Sequence, residues 1–170
     1  PKKRIAIIGI GLVSILIIFF MFASLMFGGG QGQTDKLLAL AQQQTELIRI
    51  SDLANKEGAA HAASTQVLAS NTSLSLQSSQ QQILGLMSKG DRAKSQKQLG
   101  AKQSTKTDAA LKSAAQNNRY DEAFTEIMAS ELSKYQSELK VSYNSSKNTK
   151  EKQVLDSAYK GATLLLSQTK

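Results

Sequence analysis

Hydrophobic positions fall along this chain in two different patterns. From Ile5 to Phe27 runs a stretch of 23 residues with no charge and no Pro, Asn or Gln. As a helix rising 1.5 Å per residue it would be about 34 Å long, enough to cross a hydrocarbon core of about 30 Å with slight tilt. Unpaired backbone is too costly in lipid, so this run is expected to be helical throughout. Lys2-Lys3-Arg4 behind it holds the N-terminus on the cytoplasmic side, which puts residues 31–170 outside the cytoplasm. Leu25-Met26-Phe27 is a poor cleavage site, so the run reads as a retained single-pass anchor in the cell membrane.

Beyond it the pattern becomes helical and amphipathic. Gly28–Gln33 (GGGQGQ) reads as a flexible hinge between an anchor over 1–27 and a domain over 34–170. Thr34 offers an N-cap, and Leu37, Leu40, Ala41, Leu47, Ile48 and Ala54 recur at helical spacing up to a break at Gly58. A second helix is predicted over Ala59–Lys89, with Ala60, Ala63, Val67, Leu74, Ile83, Leu84 and Met87 inward and Gly90 closing it. Residues 90–105 are basic and without periodicity, so they read as irregular. A short helix follows from Thr107 to Asn117-Asn118. A long one over Tyr120–Ser145 carries Phe124, Ile127, Met128, Leu132, Tyr135, Leu139 and Tyr143 on one stripe. After a turn at Asn144–Asn148, a last helix from Thr149 points Val154, Leu155, Ala158, Ala162 and Leu165 inward. Four long amphipathic helices predict an all-α fold, an antiparallel four-helix bundle behind a single transmembrane helix.

Composition sharpens this picture. After residue 33 the chain has one Phe, Phe124, four Tyr, no Trp and no Pro, so its core must be built from Leu, Ile and Ala. No cysteine is present, which excludes disulfides and thiolate metal sites on the oxidising side of the membrane. The net charge is +8, of which Lys2, Lys3 and Arg4 supply three; most of the rest is concentrated over 88–112. A basic surface outside the cytoplasm meets anionic headgroups, wall polymers or acidic proteins; without interleaved aromatics, no nucleic acid is expected as a partner.

Candidate chemistry is sparse. His61, the one histidine, stands four residues after Glu57, and a shared helix face would make the two a pair of metal ligands. Two ligands do not close a site. Bundles that hold two metals use inward Glu residues and Glu-x-x-His pairs. None of Glu46, Glu57, Glu122, Glu126, Glu131 or Glu138 has His three residues on, so all six are read as solvated. No metal, cofactor or catalytic group is therefore assigned. Asn71-Thr72-Ser73 and Asn144-Ser145-Ser146 match the glycosylation acceptor pattern. Gly9, Gly11, Ser14 and Ser24 are small positions in the apolar run, but no Gly-x-x-x-Gly pair supports dimerisation there.

The segments LLALAQQQTELIRISDLANKEG (37–58) and TDAALKSAAQNNRYDEAFTEIMASEL (107–132) resemble a ferritin-like four-helix family of bacterial cell-envelope domains, labelled as outer-membrane proteins of unknown function. Tyr120-Asp121-Glu122-Ala123-Phe124 stands for the family's aromatic-Asp signature and Met128 for its methionine. The likeness covers about 35–168 and implies a ferritin-like bundle. The family's histidines fall near Thr72, at Leu132 and at Leu164-Leu165, so the resemblance implies fold alone and no activity.

These features point to a non-enzymatic envelope protein that touches lipid through residues 5–27. Its outer domain would bind other membrane or envelope proteins, or copies of itself as a homo-oligomer. The polar stretch Ser70–Gln82 is the candidate face. Alternatives are a pilin-like subunit of a surface filament with the apolar helix in its core, and a metal-binding ferritin-like or sensor domain.

Overall fold

The structure, a computed structural model, describes residues 32–56 and 60–170. The expected anchor Ile5–Phe27, residues 28–31 of the hinge, Glu57 and the expected break at Gly58 lie outside the described residues, and Gln33, read as the end of the hinge, already begins the first helix. The chain separates into units Pro1–Gly32 and Gln33–Lys170, and the second is considered by itself. No helix among the described residues is long and apolar enough to cross a membrane.

All regular elements among the described residues are helical: α1 (Gln33–Ala54), α2 (Ala63–Gly85), α3 (Lys89–Gln96), a 3₁₀ turn at Leu99–Lys102, α4 (Thr105–Gln116), α5 (Tyr120–Ser145) and α6 (Thr149–Ser167). Local chemistry sets several boundaries. Ser88, Ser104 and Asn148 cap α3, α4 and α6, each side-chain oxygen accepting the backbone N–H three residues on. At the end of α4, Asn118 takes a left-handed φ of 53°. The Asn118 and Arg119 amides then reach back to the Ala115 and Ala114 carbonyls at 3.2 and 2.8 Å. This closes the helix by a Schellman turn, and Asn tolerates the conformation better than other residues with a side chain.

Cross-helix hydrogen bonds fix the directions. Ser73 bonds Asp52 and Gln80 bonds Thr45, so α1 and α2 run antiparallel. Ala62 N–H donates to Asp121 at 3.2 Å, placing the start of α2 at the start of α5. Gln33 bonds Glu151, which brings the start of α6 to the start of α1. The order is therefore up, down, down, up, with residues 86–119 crossing from one end to the other. Around the bundle α1 touches α2 and α5, and α6 touches the same two helices. One core is shared by Leu47, Ile50, Leu76, Ile83, Phe124, Met128, Leu132, Leu139 and Leu155.

The periodic pattern located α5 and the start of α6 to the residue. Elsewhere the structure differs. The second helix is shorter at both ends than 59–89, and Gly90 lies in the first turn of α3 instead of closing α2. Residues 90–105 are not irregular, because Ser88 and Ser104 nucleate α3 and α4 there. Val67 and Leu74 point outward, at 56 and 68 % exposure, as does Ala63. Their places facing the core are taken by Thr65, Leu68, Thr72 and Leu76.

Candidate functional site

The middle of the bundle, where ligand and metal sites of helical bundles are built, holds a neutral polar layer. The Gln44 amide donates to the Tyr135 hydroxyl at 2.6 Å and to Ser79 Oγ at 2.9 Å, joining α1, α5 and α2. Both Gln44 and Tyr135 are fully buried. Burial drives the Tyr135 phenol well above its ordinary pKa, against the pull of its bonds to Ser79 and Gln44. At the same level Gln136 of α5 donates to Thr163 of α6 at 2.7 Å. On one side of this layer, the Gln43 amide sits between Glu138 Oε2 and the Tyr135 N–H; assigned so that its nitrogen meets the carboxylate at 2.6 Å and its oxygen the N–H at 3.2 Å, it satisfies both. Desolvation raises the Glu138 carboxyl above its usual value; Lys102 and Lys134 oppose this.

A second cluster pins the crossover. Arg49 grips Glu46 through two parallel contacts at 2.8 Å and reaches Asp108 of α4 at 2.6 Å. Ser104 N–H also donates to Glu46. Glu46 is thus buried at 6 % exposure, contrary to its reading as a solvated acid. Its charge is tolerated because a bidentate guanidinium and a backbone donor satisfy it. The Glu-x-x-Arg spacing was the available signal. Glu122 and Glu126 are exposed and Glu131 is half-buried.

Of the two residues weighed as metal ligands, His61 is exposed and precedes α2, and Glu57 lies outside the described residues. The described residues contain no cluster of three or more His, Cys, Asp or Glu able to hold a metal ion. Of the positions where the resemblance places histidines, Thr72, Leu132 and Leu165 are buried and Leu164 is exposed. The Thr72 hydroxyl has no partner among the described residues, as is also true of the Tyr120 hydroxyl and Gln44 Oε1. Asn71 and Asn144 of the two acceptor patterns lie exposed on α2 and at the last turn of α5.

The polar stretch Ser70–Gln82 divides between two roles. Ser70, Ser73, Ser79 and Gln80 are spent on α1, bonding Asn55, Asp52, Gln44 and Thr45. What remains outward carries Leu74. It lies between Asn71, which bonds Gln168, and Ser75, which abuts Gly161. Leu164 of α6 occupies the same level and is 64 % exposed. The α2–α6 side therefore presents two uncovered leucines where the helices meet.

Family models, curated proteins and solved structures yield no match to this chain. The class defined by the structure is an all-helical bundle protein.

Two outcomes follow from the central layer. Tyr135→Phe is expected to lower stability by about 1–3 kcal/mol, since the Gln44 amide loses a buried acceptor. In a double-mutant cycle by denaturant unfolding, its cost with Gln44→Leu should be well below the sum of the single costs. Glu138→Gln tests the raised carboxyl. A carboxyl raised in the folded state costs nothing below the unfolded value, ordinarily 4.5, and its full penalty appears above the folded value. Thermal melts should find the variant more stable than the parent at neutral pH, with the gap closing as the pH falls through the carboxylate range.

Proposed function

We propose that this protein is a membrane-anchored, non-enzymatic envelope protein whose helical bundle works by contact, through self-association or as an accessory subunit of a membrane assembly. The anchor is Ile5–Phe27, and the bundle stands outside the cytoplasm. Its up-down-down-up order with one long crossover is that of ferritin-like bundles, which supports the likeness drawn from residues 37–58 and 107–132. The centre of the bundle is here built from the neutral side chains of Gln44, Tyr135 and Ser79.

The observation that carries this reading is the pair Leu74 and Leu164, both largely exposed at one level of the α2–α6 side. Two leucines on the α2–α6 side, near Asn71, Ser75 and Gln168, have the make-up of a small interface centre with a polar rim.

The chain has no cysteine, so a single introduced thiol reports contact cleanly. Leu74→Cys is expected to give a discrete crosslinked product with a short bis-maleimide in intact membranes, while Ala115→Cys on the exposed face of α4 stays uncrosslinked. Absence of any product from position 74 at native expression contradicts the proposal.

A further inference from the structure

The net charge of the bundle is not spread along its length. The bonds Gln44–Ser79, Gln44–Tyr135 and Gln136–Thr163 mark its middle. On the side where α1 begins lie residues 32–44, 80–103 and 136–163, which carry eleven Lys or Arg against five Asp or Glu. On the other side, residues 45–56, 60–79, 104–135 and 164–170 carry seven against seven. One half is strongly cationic and the other is neutral.

Of the five acids in the cationic half, Asp35 is exposed at the start of α1, and all five are already set against the eleven cations. Glu151 is buried and accepts from Gln33, and Glu138 is turned toward Gln43. Asp91 accepts the Ser88 hydroxyl and Asp156 accepts from Lys160. The cations are exposed: Lys89, Arg92, Lys94 and Lys97 on and just after α3, Lys147 and Lys150 at the α5–α6 turn. Tyr143, close to that turn, is 39 % exposed with the Lys152 ammonium 5.3 Å above its ring. A tyrosine beside lysines is the residue pairing that suits a headgroup layer.

This half is also the one into which the chain feeds. Along the sequence, Gly28–Gly32 alone separates the apolar run ending at Phe27 from Gln33, the first residue of α1. Five residues span at most about 18 Å. We infer that the cationic end of the bundle is a docking surface for an anionic bilayer leaflet, held against the lipid in which the apolar run is anchored. The inference rests on that anchor. Acidic headgroups complement both α3 and the α5–α6 turn, and the neutral far half with the Leu74–Leu164 side is left free for protein contact. Attraction of this kind falls off within a Debye length, about 8 Å at physiological salt and about 3 Å at 1 M.

The test uses the full chain with one cysteine, Gln98→Cys beside Lys97 or Asn117→Cys at the end of α4, each carrying an environment-sensitive dye. The protein is placed in nanodiscs of neutral phosphatidylcholine, with or without phosphatidylglycerol, containing a headgroup-labelled quencher lipid. The dye at 98 is expected to be quenched severalfold more in anionic discs, and the excess to vanish at 1 M salt and in a K94Q/K97Q/K147Q/K150Q variant. The dye at 117 should respond to neither lipid. Equal quenching at 98 in neutral and anionic discs, or equal quenching at 98 and 117, overturns the inference. A chain that fails to enter neutral discs would instead defeat the anchor. Its co-elution with anionic discs alone would then still support the cationic surface, and co-elution with neither would overturn both.

Discussion

The bundle depends on one hydrogen-bonded layer, the contact of the Gln44 amide with the Tyr135 hydroxyl and Ser79. Three helices meet there with no room for solvent, so the polar atoms must satisfy one another or impose a desolvation cost. That requirement sets the axial register of α1 against both α2 and α5. A core of Leu, Ile and Ala, with Phe124 as its one phenylalanine, interdigitates without much preference for one register over the next. The polar layer supplies the preference. Because Gln, Tyr and Ser are all neutral, the centre needs no counter-ion. Of the positions that the family resemblance links to histidine, Thr72, Leu132 and Leu165 are absorbed into the packed interior, while Leu164 faces outward.

Everything else about the crossover follows from the up-down-down-up order. A segment has to travel from the end of α2 to the start of α5, and residues 86–119 do so along α1. The Glu46–Arg49–Asp108 cluster holds α4 to α1 midway. A basic segment is thereby fixed to one half of the bundle, alongside the lysines of the α5–α6 turn, instead of dangling as a loop. The basic run read from the sequence becomes part of a polarised half once the topology is known.

The sequence carried the helices better than the faces. Where large apolar residues recur without competition, as from Phe124 to Leu139, both the bounds of α5 and its buried stripe were legible. In α2 the spacing of Val67 and Leu74 suggested an inner face, but the inner face is Thr65, Leu68, Thr72 and Leu76. The reason is that α2 packs on α1 through serines and glutamines, so hydrophobicity alone picks the wrong stripe. Glu46 was misread for a similar cause: its burial depends on Arg49, visible nearby, and on Ser104 and Asp108, which only the crossover brings in. The α3 helix was missed because its eight residues, with Ala93 the one apolar side chain, show no period, and its Ser88 cap was the single cue. The basic run over 88–112 was legible, but its alliance with Lys147 and Lys150 was not, since only the topology brings these separate stretches to one half.

The central claim is that an apolar helix holds this bundle in a membrane with its body outside the cytoplasm. Alkaline carbonate extraction of native membranes, followed by protease treatment of whole spheroplasts, tests it most directly. The account predicts that the chain stays with the carbonate-washed membrane and that added protease degrades residues beyond the Gly-rich hinge. Release into the carbonate supernatant, or full protection of the bundle from external protease, would contradict it.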